Sequence, residues 1–138
     1  MTTRRDARRL AIDMLYQADI TGAEPGDVLA SWREAEREVP PFAEELVDGV
    51  AEHGPEIDLL LEEHAESWTL ARMAALDRTI LRVAVFELRH RADVPPSVAI
   101  SEAVEAASEL SSDESKGFVN GILGRIAREP GGAAEAGS

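Results

Sequence analysis

The sequence predicts an all-α protein of about seven helices. Glycine and proline break it into segments of helical length. Within those segments, apolar residues recur at i, i+3, i+4 and i+7, with no alternating strand pattern. The composition is rich in Ala, Leu, Glu and Arg with few β-branched runs, which favours helix over sheet.

The first segment runs from about Thr3 to Ile20 and stops before the turn Gly22–Gly26, which contains Pro25. Ala7, Leu10, Ala11, Met14, Leu15 and Ala18 give it one apolar stripe. The second covers about Asp27 to Glu38, with Asp27 as N-cap and Pro40-Pro41 as its end. Pro41 opens the third, which closes near His53. Gly54-Pro55 precedes a fourth, about Glu56 to Glu66. The fifth, about Ala71 to Arg91, is apolar on more than one side (Leu76, Ile80, Leu81, Val83, Ala84, Val85, Phe86, Leu88) and reads as the central helix. Ser97 caps a sixth, running to about Leu110. Ser111-x-x-Glu114 reads as a capping box for the seventh, ending near Arg128. Residues 1–129 form the helical domain, and 130–138 read as a small, disordered tail.

A length of 138 residues suits one domain or two small helical halves, large enough for a core without staples. No cysteine is present, which excludes disulfides, thiolate metal sites and cysteine nucleophiles, and suits a reducing cytoplasm. The amino end has no apolar signal-peptide region, and no stretch approaches membrane-spanning length, so a soluble, cytoplasmic protein is expected. The net charge of −13 argues against nonspecific nucleic-acid binding over the whole surface. Basic charge is concentrated at one end: Arg4, Arg5, Arg8 and Arg9 stand against Asp6 alone in the first ten residues, leaving 10 basic and 26 acidic residues elsewhere.

The four arginines share one broad helix face, away from the Ala7–Leu10–Met14 stripe. Guanidinium is planar and permanently charged; it grips phosphate bidentately and stacks on bases. A solvated helix end partly paired to carboxylates is the alternative. His53, His64 and His90 are isolated in the sequence. Glu87-x-x-His90 has half of a di-iron spacing without a second pair, so no metal site is expected. Glu87 reads instead as a partner for Arg82, Arg91 or a helix end. Glu62-Glu63 and Glu102/Glu105 read as exposed faces. No phosphate loop, nucleophile elbow or nucleotide fingerprint occurs, so neither catalysis nor a cofactor is expected. Gly121, inside the last helix, suggests close approach of another backbone, with Asn120 bonding a neighbouring loop.

Several motifs occur in an order that resembles the NusB family. Arg8-x-x-Ala11-x-x-x-Leu15-Tyr16-Gln17 is followed by Trp68 and by Asp77-Arg78-x-Ile80-Leu81-Arg82-x-Ala84-x-Phe86-Glu87-Leu88. Val94-Pro95 then leads to Val98-Ala99-Ile100-Ser101-Glu102-Ala103-Val104-Glu105, and Phe118-Val119-Asn120-Gly121-Ile122-Leu123 closes the series. The resemblance spans roughly residues 4–128. Ser101 replaces the family's Asn, and Gly117 its usual Lys.

The resemblance implies a helical bundle in two packed halves and a transcription antitermination factor, not an enzyme. Its expected ligand is the boxA element of nascent ribosomal RNA, bound as a single strand together with NusE, a small-subunit ribosomal protein, within the RNA polymerase antitermination complex. Arg4, Arg5 and Arg8 match the arginine-rich RNA motif, with Arg9 beside it; Glu114 and Phe118 match positions near the RNA. Tyr16 and Asp77 match positions that contact NusE. Four arginines on single-stranded phosphates imply a log–log salt slope near −3, at about −0.7 per contact. Family members occur as monomers and as dimers, so a homodimer is an open expectation. A protein-only adaptor, or an RNA-binding module assisting a separate ribosomal RNA methyltransferase, are the alternatives.

Overall fold

Seven α-helices and one 3₁₀ turn follow one another in the computed structural model, which describes residues 2–65 and 69–129. Trp68 and the tail 130–138 lie outside the described residues. Helix α1 (Arg4–Thr21) starts on a capping box: the Asp6 N–H donates to Thr3 Oγ1, and the Thr3 N–H donates to the Asp6 carboxylate. It stops at Gly22, whose left-handed backbone (φ 77°) suits glycine and whose N–H closes on the Ala18 carbonyl.

Helix α2 (Pro25–Glu34) begins earlier than expected because Pro25, and not Asp27, opens its first turn. It also ends four residues sooner, where Glu36 turns to φ 58° and the Arg37 guanidinium settles 3.3 Å over the Trp32 ring. Helices α3 (Pro41–Glu52) and α4 (Gly54–His64) are separated by His53 alone. A 3₁₀ turn, Leu70–Arg72, and an extended Met73 occupy the expected start of the fifth helix, so α5 spans Ala75–His90. For α6 (Pro96–Leu110) the cap position is Pro95, not Ser97. For α7 (Asp113–Arg128) it is Ser112, whose hydroxyl accepts the Ser115 N–H; the Ser111/Glu114 capping box does not form.

Helix α5 packs against α1, α3, α4, α6 and α7, as its many-sided apolar pattern requires. Helices α1–α3 pack on one another in one half and α4–α7 in the other, with α1 and α3 also meeting α5. Met14, Leu46, Ile57, Leu61, Ile80, Leu81, Val85, Ile122 and Leu123 are fully buried in one continuous core. Burying an aliphatic chain of this size stabilises the fold by about 1.5–3 kcal/mol.

The close approach expected at Gly121 occurs instead at Gly49. A Cβ on Gly121 would meet only the Arg125 guanidinium, at 3.5 Å, and Asn120 is exposed. A Cβ on Gly49 would lie 2.2–2.7 Å from the Phe86 ring. Gly49→Ala should therefore lower the unfolding free energy by about 1–3 kcal/mol through overpacking. Gly121→Ala should leave it unchanged or raise it by up to about 1 kcal/mol. Urea unfolding midpoints of the two variants check the contrast.

Candidate nucleic-acid interface

The capping box that starts α1 also aims its arginines. Arg4 and Arg5 are about half exposed, and Arg9 is a quarter exposed. Arg8 is different. Its side chain is 7% exposed and lies on Glu87 of α5, itself 1% exposed, with Nε and Nη2 donating over 2.7–3.1 Å. The reading of four solvent-facing arginines is corrected to three. Arg8 sits beside the apolar stripe, one turn before Ile12, and so enters the helix interface. The partner expected for Glu87 is corrected too, since Arg82 pairs with Asp58 and Asp19, and Arg91 pairs with Glu45 and Asp93.

The other three arginines rest on a frame of the chain's own carboxylates. Arg4 pairs with Asp93 at 3.0 Å, Arg5 with Glu102 at 3.1 Å and Glu105 at 2.7 Å, and Arg9 with Glu109 at 2.9 Å. Glu102, Glu105 and Glu109 stand at i, i+3 and i+7, so α6 presents them as a row along α1. Glu102 and Glu105, read from sequence as an exposed face, are therefore partners of the basic end. The hydrogen bond and charge of Glu102 raise the Arg5 pKa further above its ordinary value. Exposed pairs of this kind contribute only about 0.2–1 kcal/mol each, so a phosphate can exchange for the carboxylate.

Arg91, at the end of α5, extends this basic rim. Arg4 and Arg91 both lie over the Phe42 ring, at 4.4 and 5.0 Å, and both bond Asp93. Hydrogen bonds from Arg91 and then Arg4 hold the Asp93 carboxyl well below the usual carboxylate range. Sequence spacing alone gives no sign that Arg91 joins Arg4, because 87 residues separate them in the chain.

One recess adjoins the rim at Arg9, and a second lies next to that one. Thr2, Asp6, Arg9, Leu10, Tyr16, Leu76 and Leu110 line an apolar groove of about 690 Å³. Leu110 is 44% exposed and Tyr16 is half-buried there. Where α5 and α7 start, Arg72, Asp77, Ser112, Glu114 and Phe118 line a second recess of about 270 Å³. Asp77 is buried: its Oδ2 accepts from the Ser115 hydroxyl at 2.8 Å, while Oδ1 has no hydrogen-bond partner among the described residues. Glu114 is exposed and Phe118 half-buried. The structure thus brings Asp77, Glu114 and Phe118 to one recess and Arg9 and Tyr16 to the other. Adjacent residues Leu76 and Asp77 join the two. A partner reaches Asp77 only by entering its recess.

The histidines are not isolated in space. The His53 and His90 rings stack at 3.8 Å, and His64 meets Glu129. Among the described residues, no helix is long and apolar enough to cross a membrane.

Comparison with known proteins agrees with the motif order. The NusB family model matches residues 5–128. The transcription antitermination protein NusB of Saccharopolyspora erythraea is 52% identical over 131 residues, covering 92% of this chain and 88% of that protein. The NusB of Clavibacter sepedonicus is 47% identical, covering 92% and 97%. Among solved structures, T. maritima NusB superimposes with a TM-score of 0.85 at 30% identity over 99% of both chains. A crystal structure of the antitermination factors NusB and NusE in complex with dsRNA matches with a TM-score of 0.80 at 28% identity, over 91% of this chain and 96% of that one. From its motifs through its helix order to these matches, the chain belongs to the NusB family.

Proposed function

We propose that this chain is a non-catalytic antitermination factor that binds boxA-type single-stranded ribosomal RNA as a heterodimer with NusE. The observation that carries this reading is the juxtaposition of an arginine rim with the Tyr16 groove, which Leu76 and Asp77 link to the Phe118 recess. Arg4, Arg5 and Arg9, joined by Arg91, line one edge of α1, and the Tyr16 groove begins at Arg9. RNA phosphates displace the row of carboxylates from the rim. The half-buried Phe118 offers an unstacked base a ring to lie against. NusE covers Tyr16 and the Leu76/Leu110 groove, where an exposed apolar surface gives a partner area to bury.

Arg8 contributes to folding and to the placement of α1, not to phosphate binding. A gel-shift with boxA RNA and a scrambled strand, each with and without NusE at fixed salt, tests the reading. Binding that favours boxA and tightens when NusE is added is expected. Equal retention of both strands, with and without NusE, contradicts it and leaves a protein-only adaptor.

A further inference from the structure

His53, Glu56 and His90 meet at a point that the RNA reading does not use. His53 sits between α3 and α4, Glu56 lies in the first turn of α4, and His90 is the last residue of α5. His53 Nδ1 is 3.5 Å from Glu56 Oε2, and His90 Nε2 is 3.2 Å from both Glu56 oxygens. Two imidazole nitrogens therefore face one carboxylate, and their ligand atoms lie within 4.8 Å of one another.

These spacings suit an ion. Tetrahedral ligands held about 2.0–2.1 Å from zinc stand roughly 3.3–3.4 Å apart. The rings stack at 3.8 Å and 15°, so their lone pairs run side by side, and both rings must tilt to converge on one ion. The side chains are 29% and 27% exposed, which leaves room for that tilt. Behind them Phe86 stacks at 6.0 Å from His53 and 5.6 Å from His90, forming an apolar backing. Glu52 lies 3.9 Å from His53 Nε2, on the side where a carboxylate holds a ligating histidine in the tautomer that presents Nδ1.

We propose that His53, Glu56 and His90 form a three-ligand site for a divalent transition ion of the zinc class, with its fourth position open to water. Two imidazoles and one carboxylate select such an ion over magnesium or calcium, which demand more oxygen ligands. The ion clamps the α3–α4 junction to the end of α5. His90 is the chain neighbour of Arg91 of the rim, so the test reads zinc binding and melting without RNA.

The tag-free chain, stripped with chelator at neutral pH, is titrated with zinc or magnesium while its melting temperature is followed. Saturating zinc is expected to raise Tm by roughly 3 °C or more, and magnesium to leave it unchanged. Glu56→Gln and His90→Gln, both at partly exposed positions, should melt like the wild type in chelator and bind zinc at least about tenfold more weakly. Nitrogen-15 shifts of His53 and His90 in the unaltered chain give a second readout and should move together at one equivalent. Unmoved histidine signals, or equal zinc stabilisation of the variants and wild type, overturn the proposal; the second outcome moves binding elsewhere, such as Glu63, His64 and Glu129.

Discussion

Replacing Glu87 with alanine is expected to lower the unfolding free energy by about 3–5 kcal/mol, the cost of leaving a buried charge without its partner. The pair is closed from both sides: Glu87 is 1% exposed and accepts three hydrogen bonds from an arginine that is 7% exposed. Surrounding groups offer Arg8 little else, since Glu102 is 3.9 Å away and already bonds Arg5. The double replacement Arg8→Met with Glu87→Leu should recover most of the loss, because matched apolar residues avoid the desolvation of both charges. Urea denaturation of the wild type, the single and the double variant gives these values. A Glu87→Ala loss below about 1 kcal/mol would show that Arg8 finds water, and would return it to the set of solvent-facing arginines.

The second large effect falls on RNA. Replacing Arg4, Arg5 and Arg9 together with alanine should weaken boxA binding ten- to a hundredfold near 0.1 M salt with NusE present. Three contacts to single-stranded phosphates release about two counterions, worth roughly two decades of affinity at that concentration. Part of this is offset because each arginine must first leave a carboxylate, at about 0.2–1 kcal/mol per exposed pair. The variant should keep its helical signal, since these side chains make surface pairs, and Arg4 only covers the outer face of the Phe42 ring. Unchanged affinity in a folded variant would remove this end of α1 from the interface.

Local pattern accounts for what the sequence made legible. Ala7, Ala11, Met14, Leu15 and Ala18 all enter the core, and the many-sided α5 is central, because helical periodicity reports burial directly. Helix starts were less legible where neighbouring residues competed: Pro25 opens α2 after Glu24 in place of a cap at Asp27, and Pro95 and Ser112 take the cap positions expected for Ser97 and Ser111. The basic end was visible, but its partners were not. Glu87, Asp93, Glu102 and Glu109 lie 79–100 residues from the arginines that they hold, a separation that no helical spacing encodes. Arg8 had a signal of its own, since Arg8, Ile12 and Leu15 repeat at i, i+4 and i+7, and Ile12 and Leu15 are buried. Asp6, the lone acid among the first ten residues, is the partner of Thr3 in a capping box. The meeting of His53 with His90 depends on how α3 and α5 pack, and a single sequence does not supply that.

Counting the phosphate contacts made by α1 tests the central claim most directly. The observed association constant for boxA RNA with NusE is measured across a range of salt for the wild type and for the Arg4/Arg5/Arg9 alanine variant. Three available arginines predict log–log slopes that differ by about 2, near 0.7 per contact, with Arg8 adding nothing. Equal slopes would contradict the account, since phosphates would then not be replacing Asp93 and the α6 carboxylates on these side chains.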